Sequence, residues 1–118
     1  MSNKTSKQDY IYFKQCVIKY QKQLGLTDWK TYFEHETVED SLAWIRLDWE
    51  GKCCTIGLSV DWSHHPVSKQ TVHDSARHEV LHMLLADLVA VGKYRQSTDT
   101  DFTASQHAII RRLENAWN

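Results

Sequence analysis

The stretch Ser75-Ala76-Arg77-His78-Glu79-Val80-Leu81-His82-Met83-Leu84 decides how this chain is read, because it holds the pattern H-E-x-x-H inside a run that reads as helix. Residues four apart on a helix share a face, so the imidazoles of His78 and His82 can reach one metal ion while Glu79 sits beside them to handle a water. That is the geometry of a zinc hydrolase. Given this chain's own histidine and glutamate content, a chance match somewhere along it has a probability of roughly 2%, so the motif outweighs the plain alternative of a histidine-rich amphipathic helix holding no metal.

Working outward, the helix that carries the motif is expected over residues 68–91, with Gly92 ending it. Upstream, residues 42–49 and 52–60 are rich in aromatic and β-branched residues, and Glu50-Gly51 between them signals a tight turn, which makes a hairpin. Residues 61–67, with the only proline, loop from the hairpin to the helix. Trp29, Tyr32 and Phe33 mark a short strand, and residues 34–40 read as a loop or strand end. Tyr10, Phe13, Val17, Tyr20 and Leu24 recur at helical spacing before Gly25, which predicts an amphipathic cover helix over residues 9–24. Residues 1–8 are expected as a flexible tail.

Beyond Gly92 a polar stretch, 93–98, leads to a last helix capped by Thr98 or Thr100 and reaching Trp117. Its apolar face uses Phe102, Ile109, Ile110, Leu113, Ala116 and Trp117. The order α-β-β-β-α-α predicts one α+β domain over residues 1–118, with a small antiparallel sheet and helices on one side.

A chain of 118 residues with a formal net charge of −1 has room for one modest core and offers no polyelectrolyte face to nucleic acid or anionic membrane. No stretch approaches the ~20 apolar residues that span a bilayer, and the polar start carries no signal-type core, so a cytoplasmic protein is expected. Cys16, Cys53 and Cys54 are an odd count whose adjacent pair points to opposite strand faces. They read as reduced, mostly buried side chains rather than disulfides or a metal knuckle. Cys53 or Cys54 as a nucleophile has the motif histidines as conceivable partners but no local signature.

A hydrolytic zinc site uses three protein ligands and one open position, so a third ligand must join His78 and His82. The extension H-E-x-x-H-x-x-G-x-x-H is absent, since Leu85 and Leu88 stand where its glycine and histidine would be. The last helix is then the carrier. At 100° per residue Gln106 centres its apolar face, with Thr103, His107 and Glu114 on one flank. His107 is the preferred third ligand, because imidazole suits zinc better than the Gln106 amide. Glu114, two turns on, and Asp99 and Asp101 near the helix start remain candidates.

Asp74, one turn before His78, is placed either to orient that imidazole or to favour the helix dipole. Asp87 does not share the face of His82 cleanly and reads as solvated or supporting. His64 and His65 read as loop residues that could border a cleft, and His73 points away from His82. A zinc ion lowers the pKa of water towards ~7, and Glu79 is placed to take the proton as that water attacks a carbonyl. No oxyanion partner is assigned among Tyr94, Arg95 and Arg111.

With the motif preceded by a strand hairpin, and with Gln106-His107 and Arg111-Arg112-Leu113-Glu114-Asn115 in a closing helix, the chain resembles small zincin-like metallopeptidases of phages and prophages. Minigluzincins and SprT-like proteases look like its wider relatives. The resemblance runs from Leu26-Thr27-Asp28-Trp29 to the last helix, and the H-E-x-x-H segment is its specific part. It implies a zincin-like fold, zinc held by His78 and His82, Glu79 as general base, and a peptide or protein substrate in a bacterial or phage-infected cell. In that family an acidic residue often precedes the closing-helix histidine, where this chain has Gln106. It also implies an extended substrate along an edge strand, expected here around residues 55–60. Two other readings compete: a metal-retaining binding module without efficient catalysis, which intact Glu79 argues against, and a metal-dependent RNA hydrolase, which the missing basic surface argues against.

Overall fold

Two capping boxes set where the main helices begin in the computed structural model, which describes residues 2–93 and 99–117. Ser6 Oγ accepts the Asp9 N–H at 3.1 Å and the Asp9 carboxylate accepts the Ser6 N–H at 2.8 Å, opening α1 (Lys7–Gln23). Ser68 and Thr71 exchange the same pair of bonds, at 3.1 and 2.9 Å, and open α2 (Lys69–Leu84). Each box satisfies N–H groups that a helix start leaves without partners.

Residues 3–8, expected as a tail, are instead tied down. Asn3–Lys4 forms β1, and Thr5 is buried with its hydroxyl donating to the Ser59 carbonyl at 2.7 Å. The polar composition misled here because the segment is held by backbone pairing and a cap, neither of which needs apolar side chains.

Three strands follow α1: β2 (Lys30–His35), β3 (Ala43–Asp48) and β4 (Cys53–Leu58). β3 and β4 form the expected antiparallel hairpin, with Asp48 opposite Cys53 and Ala43 opposite Leu58. The sheet order is β2-β4-β3, and β2 runs parallel to β4. The sheet is therefore mixed rather than antiparallel. The loop between β2 and β3 is too long for a tight hairpin and leaves a slot that β4 fills, which makes β4 parallel to β2. A short β5 (Asp61–Ser63) pairs with β1 in a separate two-stranded ribbon.

Alternation sorts the sheet faces. Cys54, Ile56 and Leu58 point inward and are buried, with Phe33 and Ile45 beside them. They meet Phe13, Cys16, Val17 and Tyr20 of α1 and Val72, Ala76, Val80 and Met83 of α2, so both helices share the core with one face of the sheet. Cys53 lies on the other face, and all three cysteines are free thiols. Burial raises the Cys16 and Cys54 thiols above their ordinary range, which keeps them protonated and unreactive. On the outer face Trp44 lies over Gly57 so closely that a Cβ there would overlap its indole.

The motif helix is shorter than expected. It stops at Leu85, whose backbone sits at φ −89° and ψ 3°, and α3 (Ala86–Lys93) follows. Asp87 in the first turn of α3 accepts hydrogen bonds from the Trp49 indole and from Lys52 at 3.1 Å, which ties α3 to the hairpin turn. Those bonds give Asp87 a structural part, and they hold its carboxyl below the usual range. The last helix, α4 (Asp99–Ala116), packs on α2 and α3, and Ile110 is its fully buried anchor. Thr98 lies outside the described residues. Among the described residues no helix is long and apolar enough to cross a membrane.

Candidate metal centre

His78 and His82 stand one turn apart on α2, on the flank facing α4, with their Nε2 atoms 3.3 Å apart. His107 reaches the same place from α4, its ring centroid 4.9 Å from that of His82 and 5.9 Å from that of His78. One ligand atom from each imidazole lies within 4.8 Å of the other two. Three histidines from two helices are thus close enough to bind a metal ion.

The remaining ring nitrogen of His78 is held. Its Nδ1 lies 3.3 Å from Glu114 Oε2. An ionised carboxylate only accepts, so Nδ1 carries the proton and the lone pair of Nε2 is left facing His82. His107 and Glu114 are seven residues apart, two turns on one face of α4, so a single helix face supplies both an imidazole and a carboxylate. Burial lowers the pKa of His82 to about 4, with the neighbouring His78 and His107 adding to the effect and a hydrogen bond that His82 donates to Gln106 opposing it. His82 is therefore neutral at pH 7, the form that offers a lone pair to a metal.

Glu79 is only 6% exposed. Burial, with the Glu114 carboxylate adding to it, pushes its pKa up to about 8. Without a cation nearby this carboxyl holds its proton near neutrality, whereas a bound cation would favour its ionised form. Its side chain lines a pocket of about 280 Å³ with His78, Glu114, Asp74, Ser75, Leu42 and Ala43. A small molecule or chain segment in that pocket would touch the glutamate and the first histidine together.

The other sequence candidates fall as follows. Gln106 bonds His82 rather than standing as a rival ligand. Glu114 takes the orienting part considered for Asp74, which instead accepts from Gln70 Nε2 at 2.8 Å and from His73 Nδ1 at 3.0 Å. His73 also meets the Tyr20 hydroxyl at 2.8 Å, away from the centre. The side chains of Asp99 and Asp101, and all of Tyr94 and Arg95, lie outside the described residues, and Arg111 is exposed. His64 and His65 are exposed and stacked on each other at 4.4 Å. The seven-residue spacing of His107 and Glu114 was the available signal for Glu114. Arg77, buried beside the motif with its guanidinium 5.6 Å from the Trp117 ring centre, gave no such signal.

Compared with family models, characterised proteins and solved structures, the chain gives no match.

Proposed function

We propose that this chain is a zinc-dependent peptidase with a zincin-like arrangement, in which His78, His82 and His107 hold the ion and Glu79 serves as general base. The observation that carries this reading is the convergence of three imidazoles beside a buried glutamate that lines an accessible pocket. The donor set fits zinc. Zinc–nitrogen bonds of about 2.0–2.1 Å in a tetrahedral site place two ligand nitrogens about 3.3–3.4 Å apart, and the two Nε2 atoms of α2 stand at 3.3 Å. Three protein nitrogens leave the fourth position open, as a hydrolytic rather than a structural site requires.

Zinc bound here would supply a Lewis acid for a water and for the scissile carbonyl. Glu79 would take the proton of the attacking water and pass it to the leaving amine, a transfer suited to a carboxyl whose pKa responds strongly to nearby charge. Glu114 would fix the His78 ring so that Nε2 keeps its direction. β3 supplies the place for a substrate backbone. Among the described residues it pairs with β4 alone, and Leu42 and Ala43 at its start line the pocket that holds His78 and Glu79. The edge considered from sequence, residues 55–60, falls on β4, the central strand, so the rim of the cleft moves to β3.

Metal analysis of the purified protein tests this reading, together with casein or self-cleavage assays. About one zinc per chain, lost in His78→Ala and in His82→Ala, and hydrolysis lost in Glu79→Gln with zinc retained, would support it. Full metal retention in both histidine variants would overturn it, as would undiminished zinc-dependent hydrolysis by Glu79→Gln.

A further inference from the structure

The loop that carries the chain from β2 to β3 is bolted to the segment after β4. Ser59 Oγ accepts the Val38 N–H at 3.3 Å, and the Val60 N–H donates to the Glu36 carbonyl at 3.2 Å. The Leu42 carbonyl accepts both the Ser59 N–H at 2.9 Å and the indole N–H of fully buried Trp62 at 3.1 Å. Between this loop and residues 61–65 lies a groove of about 710 Å³. Its walls are set by hydrogen bonds, so it exists before any ligand arrives.

Leu42 lines this groove and also the pocket that holds His78 and Glu79, so the two spaces meet at one side chain. The groove's charge has one sign. Glu39, Asp40 and Asp61 line it, His64 and His65 close it, and no lysine or arginine takes part among the described residues. Carboxylates gathered around a concave surface with Trp62 and Leu42 in its wall concentrate negative potential there. An extended polypeptide advances about 3.3 Å per residue. A chain laid along β3 with its reacting carbonyl at the metal centre would thus hang a nearby side chain past Leu42 into the groove.

We propose that this groove is a specificity subsite that takes a lysine or arginine side chain of the substrate polypeptide. Its aliphatic stem would lie on Leu42 and its cationic head among the carboxylates of Glu39, Asp40 and Asp61. The inference rests on the peptidase reading for the position of the scissile bond, and on the groove itself for the preference. Glu39 and Asp40 are exposed, so each contributes modestly and the selectivity comes from their sum, about ten-fold.

The test uses the full chain loaded with zinc and fluorescein-labelled alanine-glycine octapeptides carrying one Arg, one Gln or one Glu. Binding is read by anisotropy on the Glu79→Gln chain, and cleavage by mass spectrometry on the unaltered chain. The Arg peptide should bind about ten-fold more tightly than the Gln peptide, with the Glu peptide weakest. The preference should vanish in Glu39→Gln/Asp40→Asn, with zinc content and thermal unfolding reporting an intact fold. Asparagine suits position 40, where φ is +61°. Should that double variant not fold, Glu39→Lys, an exposed change, should reverse the order of the peptides. Equal binding of the three peptides, or none, overturns the subsite, as does a preference that survives the substitutions. Arg-dependent binding with no cleavage by the unaltered chain supports the subsite and overturns the peptidase reading. Cleavage indifferent to Arg does the opposite.

Discussion

Glu114 Oε2 lies 3.3 Å from Nδ1 of His78, so a residue 36 positions downstream grips the far side of an imidazole whose Nε2 faces His82. The contact joins α4 to α2 at the centre itself. It makes the direction of the His78 lone pair depend on how the two helices pack.

Glu114→Ala should therefore weaken zinc binding by about 10–100-fold, the usual cost of losing a carboxylate behind a ligating imidazole. Chelator competition would measure it. An unchanged affinity would mean that helix packing alone orients His78.

His107→Ala removes a donor rather than its support, and its loss of zinc affinity should exceed that of Glu114→Ala. Gln106→Ala, which deletes only a hydrogen bond to His82, should change affinity less than either. The same competition assay ranks the three. If Glu114→Ala or Asp101→Ala proved more damaging than His107→Ala, the third ligand would be a carboxylate.

Local pattern made much of this fold legible. The aromatic and β-branched runs around Glu50-Gly51 specify a hairpin whatever surrounds them, and the period of Tyr10, Phe13, Val17 and Tyr20 specifies a helix. What escaped is non-local. Nothing in Leu84-Leu85-Ala86 disfavours helix, yet the helix breaks there, and Asp87 beyond the break is tied to Trp49 and Lys52, far upstream. The position of β4 between β2 and β3 likewise depends on a long loop rather than on any strand's residues. At the centre, spacing placed His78 and His82 on one face. The choice between Asp74 and Glu114 as partner of His78 depended on how α4 packs.

On the outer sheet face, Trp44 occupies the space above Gly57 that any side chain would need. Gly57→Ala should destabilise the protein by about 1–3 kcal/mol, the range for forcing extra volume into a packed contact. Urea unfolding would read the change. Because the cost arises from one overlap, Gly57→Ala should be nearly harmless in a Trp44→Ala background, and simple additivity of the two changes would refute that origin.

The metal-free protein should lose stability as pH rises from about 6.5 to about 8. The folded pKa of Glu79 is about 8 against an ordinary value of 4.5, so across that interval the unfolded chain gives up a proton that the folded chain keeps, and stability falls. His82 acts with the opposite sign at lower pH. Its folded pKa of about 4 against 6.5 makes stability fall as pH drops below about 6.5, because the unfolded chain then binds the extra proton. Only the Glu79 effect operates above that point, and an interval of about 1.5 pH units corresponds to about 2 kcal/mol. Urea unfolding with a chelator present, at the two pH values, should show this loss in the unaltered chain and a flatter response in Glu79→Gln. Zinc should suppress the loss, since a cation beside Glu79 favours its ionised form. Parallel pH responses of the unaltered and Glu79→Gln chains would show that Glu79 does not bury a proton in the fold.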